Sequence, residues 1–167
     1  MTTPEVYVLD SNVFIQAARG YYAFDIAPTF WSALIDQAKS GRVKSIDRVH
    51  AEIDREKDPL ADWANTNFQQ WFAPTNQADV IETYGQLIVW AHNQTQFTDA
   101  AKAEFAGAEN ADAWLVAYAK ANGCVVVTLE QFNPDIKRRI PIPNVCQAFD
   151  VPYLDTFQML LDLAVKL

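Results

Sequence analysis

Two short apolar runs that end on acids constrain this chain more than anything else in it. VYVLDSN, residues 6–12, stops on Asp10, and CVVVTLE, residues 124–130, stops on Glu130. A short, continuous, β-branched run reads as a strand covered on both faces, which is the usual state of strands in a parallel sheet. Helical spacing fills the stretches around these runs. Alternating strand and helix predicts a three-layer α/β/α sandwich around a central parallel sheet. A carboxylate at the end of such a strand lies at the carboxyl edge of the sheet, where ligands of open α/β proteins bind.

The remaining elements follow in order. Ser11 or Asn12 caps a helix running to about Arg19, and residues 20–28 form an aromatic loop. Thr29 caps an amphipathic helix that ends at Gly41. Residues 42–46 read as a second strand, and Asp47 caps a helix that stops before Pro59. The spacing from 59 to about 107 is helical throughout and predicts three helices, an insert or lid on the sandwich. A helix over 109–122 is closed by Gly123 and feeds the strand 124–128. A loop over 130–144, a helical turn over 145–149, a strand over 151–153 and a helix over 156–165 complete a single domain, 1–167.

Chain length permits one sizeable core and little more. The net charge of −8 argues against a general nucleic-acid binder, which needs a basic surface to neutralise phosphates. An enzyme that gathers acids around a cation escapes part of that objection, because the ion inverts the local field. An acidic surface also suits a basic protein partner. Cys124 and Cys146 sit in apolar contexts and read as buried thiols of a reducing compartment. No apolar run approaches membrane-spanning length, and no signal peptide precedes the first strand. The expected location is cytoplasmic, with no membrane contact.

Element polarity carries two further acids to the same edge. Glu52 lies just over a turn into a helix that leaves the second strand, so it is near that edge. Asp112 lies in the first turn of the helix that runs down to feed the strand 124–128, so it starts there too. Asp10, Glu52, Asp112 and Glu130 therefore reach one rim if the neighbouring strands are parallel. Each alone has an ordinary explanation as a turn, a solvated helix position, a first-turn acid or a loop acid. Together they repel one another, and a hard divalent cation, Mg²⁺ or Mn²⁺, relieves that repulsion through oxygen ligands. Such a site activates water for attack on a phosphodiester.

These same residues carry a family resemblance. LDSN at Asp10, VHAE at Glu52, ADAWLVAYA at Asp112 and VVVTLEQF around Glu130 resemble the PIN-domain nucleases, and among them the PIN-like toxins of bacterial toxin–antitoxin modules. The resemblance spans nearly the whole chain, and its most specific part is the helix beginning at Asp112 with the strand that follows. It implies a Mg²⁺- or Mn²⁺-dependent endoribonuclease with an RNA substrate, an antitoxin partner and often a homodimer. It gives Asp10, Glu52, Asp112 and Glu130 as catalytic, metal-binding acids, with Asn12 and Thr128 in the polar positions that orient the first and fourth. Glu130 departs from the usual Asp by one methylene. The 59–107 stretch is longer than in compact members, and the net charge is more acidic than expected of a ribonuclease.

Lys137, Arg138 and Arg139 follow the fourth acid and are candidates for substrate phosphate contacts, against the competing reading of a solvated loop. Glu109, one turn before Asp112, reads as a plain first-turn acid or an added ligand. His50 and His92 read as structural. Tyr21, Tyr22 and Phe24 have base stacking as the alternative to packing. Trp63, Trp71 and Trp90 fit an internal core or a dimer face. Two other functions compete: a PIN-like binding module inert as a nuclease, and a phosphatase with an aspartyl nucleophile. The latter usually needs a second acid where Asn12 stands.

Overall fold

The computed structural model of the chain describes residues 4–167, so the first three residues of the predicted 1–167 domain lie outside the described residues. Five strands form one sheet: β1 (Tyr7–Leu9), β2 (Val43–Ile46), β3 (Phe72–Ala73), β4 (Val125–Val127) and β5 (Tyr153–Leu154). Their order is β3-β2-β1-β4-β5, and every neighbouring pair is parallel. Tyr7 pairs with Val43 on one side and Val125 on the other. β1 and β4 are buried at every position, as continuous apolar runs in a parallel sheet require.

The helices cover both faces. α1 (Ser11–Arg19), α3 (Asp47–Arg55) and α4 (Pro59–Trp63) contact one another. α2 (Pro28–Lys39) joins them where Trp31 meets Trp63 edge-on. α5 (Ala78–Asn93), α6 (Asp99–Phe105), α7 (Asp112–Asn122) and α8 (Ile142–Ala148) make a second set, in which α5 and α8 pack on α7. α9 (Thr156–Asp162) closes the chain, capped by Asp155 through the Gln158 N–H at 2.9 Å. The expected α/β/α sandwich with a parallel sheet is therefore present.

In the stretch 59–107 the second and third predicted helices are present as α5 and α6, but the first is broken. α4 gives way to a π-helical turn (Ala64–Phe68) and a 3₁₀ turn (Gln69–Trp71), and the chain then forms β3 at the sheet edge beside β2. Two residues of strand are too few to leave a readable alternation. Asp47 is also not a cap. It lies inside α3, and its carboxylate accepts from the Thr75 N–H at 3.2 Å and hydroxyl at 2.8 Å, pinning the exit from β3. Ser11 and Thr29 likewise lie within their helices rather than ahead of them. The helix predicted from 109 starts at Asp112 and leaves Glu109 in the preceding turn, where it pairs with Arg55 at 3.0 Å. Gly123 does close α7 in the left-handed conformation, with φ at 67°.

The aromatics pack inward. Phe14, Trp63, Phe68 and Phe72 form one cluster beneath α1. Tyr22 stacks on Phe30 and Phe24 on Trp31, while Tyr21 is 90% exposed. Trp71 meets Phe68, and Trp90 meets Phe97 and Phe149. His50 stacks on Phe72. Both thiols are buried and free. No helix among the described residues is long and apolar enough to cross a membrane.

Candidate active site

In the order β3-β2-β1-β4-β5 the chain leaves β1 toward one edge and later returns to β4 toward the other. The connections diverge between β1 and β4, and a crevice opens at their carboxyl ends. Asp10 stands at that point. Its N–H donates to the Val127 carbonyl at 2.9 Å, continuing the β1–β4 ladder by one residue. Asp10 is only 2% exposed. The Thr128 hydroxyl donates to its Oδ2 at 3.2 Å and the Ser11 hydroxyl to its Oδ1 at 3.4 Å. Thr128 Oγ1 in turn accepts the Glu130 N–H at 3.2 Å, so one buried hydroxyl links the ends of β1 and β4.

The other acids arrive on separate elements. Glu52, in α3, accepts the Ala111 N–H at 3.1 Å through Oε1. This satisfies an orphan donor at the start of α7 and brings Glu52 beside Asp112. Asp112 opens α7, and its N–H is held by Asn110 Oδ1 at 2.9 Å. Arg48 secures the turn before it, donating to the Ala108 carbonyl at 3.2 Å while its guanidinium carbon lies 4.1 Å from the Trp114 ring centroid. Tyr84 stacks on Trp114 at 3.8 Å. Glu130 accepts the Ile142 N–H at 3.3 Å through Oε2 and forms an ion pair with Arg139 through Oε1.

The acids feel one another. Burial pushes the Asp10 carboxyl from its ordinary 3.8 up to about 7, with the charges of Glu130 and Glu52 adding to the rise and the Thr128 hydrogen bond opposing it. Asp112 is held well above its ordinary value, first by burial and then by Asp10, Glu130 and Glu52, while Arg139 pulls the other way. Two carboxyls that resist ionising, in reach of each other's field, are the kind of pair that marks functional sites.

Asp10 and Asp112 thus each lie in electrostatic reach of Glu52 and Glu130, at the rim to which element polarity carries all four. They are not closed into a cage: among the described residues no three carboxylate, imidazole or thiolate groups form a ready metal-binding cluster. Glu52 and Glu130 are turned to partners of their own, the Ala111 N–H and Arg139. The donor set nevertheless fits a hard divalent cation, being all oxygen and centred on Asp10 and Asp112, two acids held above their ordinary pKa by burial and by neighbouring carboxylates.

Asn12 is exposed and lines the adjoining cleft, and no hydrogen bond joins it to Asp10; Ser11 takes that place. Thr128 holds the Asp10 carboxylate and meets Glu130 only at its backbone N–H. Lys137 and Arg138 are exposed, without a side-chain ion pair among the described residues. Their strap, residues 129–141, is fixed by Gln96 Nε2 on the Ile136 carbonyl at 2.7 Å and the Thr98 N–H on the Lys137 carbonyl at 2.9 Å. Sequence reasoning missed Ser11, whose only signal is adjacency to Asp10. It also missed Glu104, an exposed acid of α6 that resembles any solvated helix position. The cleft beside the acids, about 790 Å³, is lined by Ser11, Asn12, Glu52, Arg55, Glu56, Glu104, Glu109 and Asp112, with others. It is strongly acidic.

Fold and site together define a three-layer α/β protein with a parallel sheet and an acid centre at the topological switch point. The profile of the family described as a domain of unknown function, DUF4411, matches residues 7–167, and the chain belongs to that family. No curated protein matches it in sequence. Among solved structures it is similar to VapBC2 from Rickettsia felis bound to a DNA fragment from their promoter. That likeness has a TM-score of 0.55 at 14% identity and covers 90% of this chain and 98% of the other. It is also similar to FitAcB from Neisseria gonorrhoeae, with a TM-score of 0.54 at 16% identity, over 89% of this chain and 96% of the other. At such identities the likeness speaks for the fold.

Proposed function

We propose that this chain is a Mg²⁺- or Mn²⁺-dependent endoribonuclease and the toxin of a toxin–antitoxin pair. The observation that carries the reading is the pair Asp10 and Asp112, from different elements, both raised in pKa by burial and by neighbouring carboxylates at the β1–β4 switch point. The motif resemblance and the fold shared with VapBC2 and FitAcB support it. An antitoxin partner, a homodimeric assembly and a cytoplasmic location belong to the same reading.

Asp10 and Asp112 would hold the cation, with Glu52 and Glu130 beside them. A bound divalent ion supplies Lewis-acid activation of water and neutralises charge at the scissile phosphate. Thr128 and Ser11 fix the Asp10 carboxylate in one orientation, as hydrogen-bonded support groups do for ligating acids. Glu52 sets the start of α7 and with it Asp112. The acidic cleft repels a phosphate backbone, so the strand runs on the strap side, where Lys137 and Arg138 offer charge and Phe132, 41% exposed, offers a ring.

The test is cleavage of single-stranded and structured RNA by the purified chain with Mn²⁺, against Asp10→Asn. Equal cleavage by the variant sinks the assignment. A second reading, a PIN-like binding module without nuclease activity, is favoured by the acidic cleft and by the pairing of Glu130 with Arg139. Calorimetry separates the two: a folded chain that takes up no Mn²⁺ at millimolar concentration supports the module.

A further inference from the structure

Arg139 is the one cation the described structure brings into an ion pair with the four acids. Its partner Glu130 is 11% exposed at the side chain, while Arg139 itself is 51% exposed. The guanidinium thus sits at the mouth of the site with one face toward water. Arg139 also shares a small cavity, about 20 Å³, with Asp112 and Glu104, and its charge acts on Asp112 in the direction that favours the carboxylate.

We propose that Arg139 is the resident counter-cation of the acid centre, and that a divalent ion binds only in competition with it, so that this side chain sets the metal affinity of the site. The proposal rests on the metal reading above. A guanidinium beside Glu130 and Asp112 lowers the repulsion among the acids in the metal-free protein. The same charge opposes an arriving dication. Only the side chain must move, because the strap backbone is pinned at Ile136 and Lys137 by Gln96 and Thr98. Glu130 keeps its second anchor, the Ile142 N–H, so it stays near the site when Arg139 swings out. Released, its Oε1 is free to face the ion. The half-exposed guanidinium loses little solvation on either side of this exchange.

The experiment titrates Mn²⁺ into the full chain and reads the free-ion electron paramagnetic resonance signal, for wild type, Arg139→Gln and Arg139→Lys. Thermal melts in chelator check that all three are folded. A unit charge a few ångströms from a dication at intermediate dielectric is a large term, and after solvent screening it leaves about a tenfold tightening in Arg139→Gln. Arg139→Lys, which keeps the charge, stays near wild type. Equal or weaker binding by Arg139→Gln overturns the proposal. So does equal tightening in both variants, since charge is then not the cause. Absence of Mn²⁺ binding in all three sinks the metal reading itself, and the competition with it.

Discussion

The metal-free protein carries a penalty at Asp10 that one substitution removes. The Asp10 carboxyl ionises near pH 7 in the folded chain against an ordinary 3.8. Below about pH 3.8 both the folded and unfolded states hold the proton, and no penalty exists. Between 3.8 and 7 the unfolded chain gives up its proton first, so stability falls as pH rises. Above 7 the loss is complete. Three pH units correspond to about 4 kcal/mol. Asp10→Asn keeps the shape and the acceptor for Thr128 but gives up charge assistance in that bond, about 1–2 kcal/mol. The net gain at pH 7.5 is therefore roughly 2–3 kcal/mol, which for a chain of this size raises Tm by roughly 4–10 °C. The assay is a circular-dichroism melt in chelator at pH 7.5 and pH 4.5. Asn should melt higher at 7.5 and close to wild type at 4.5. A variant less stable than wild type at pH 7.5, or stabilised equally at both pH values, refutes the idea that Asp10 is a buried, charge-strained acid.

Thr128→Val removes the donor to Asp10 and the acceptor for the Glu130 N–H together; urea titration should show a loss of about 1–3 kcal/mol at unchanged m-value. Glu52→Ala orphans the Ala111 N–H and should cost about 1–2 kcal/mol in the same assay, whereas Glu52→Gln keeps the acceptor and should be near neutral in stability while weakening Mn²⁺ uptake. Gly123→Ala meets open space around its new Cβ but must hold φ at 67°, so a purely backbone cost of about 1 kcal/mol is expected from melts.

The strands that matter most were legible because burial on both faces leaves an unbroken apolar run. VYVL and CVVV announce β1 and β4, and the acids that follow them fall at the carboxyl edge whatever the loops do. Glu52 and Asp112 were legible for a similar reason, since a helix leaving or feeding a parallel strand has only one polarity. What polarity cannot give is which partner a carboxylate chooses at its destination. Glu52 turns to a backbone N–H of α7 and Glu130 to Arg139, and both choices depend on side-chain geometry across loops far apart in sequence. β3 was hidden for another reason. Two residues have no period, and the apolar spacing of Phe68, Trp71 and Phe72 serves helical turns and a strand edge equally.

The strand order explains why the acid centre and its cation are found together. Among the described residues the crossovers diverge between β1 and β4, where a crevice at the carboxyl edge is expected. The connection from β4 to α8 must pass beside it, because it starts there. That connection supplies Glu130 at its beginning, Arg139 near its end, and Lys137 and Arg138 between. Its last residues lead into α8, whose first N–H, from Ile142, returns to Glu130. Glu130 reaches from the end of β4 to both of these partners and so ties a basic strap across an acidic centre. Repulsion between Asp10 and Asp112 is tolerable in such an arrangement because a positive charge is never far from it, whether guanidinium or metal.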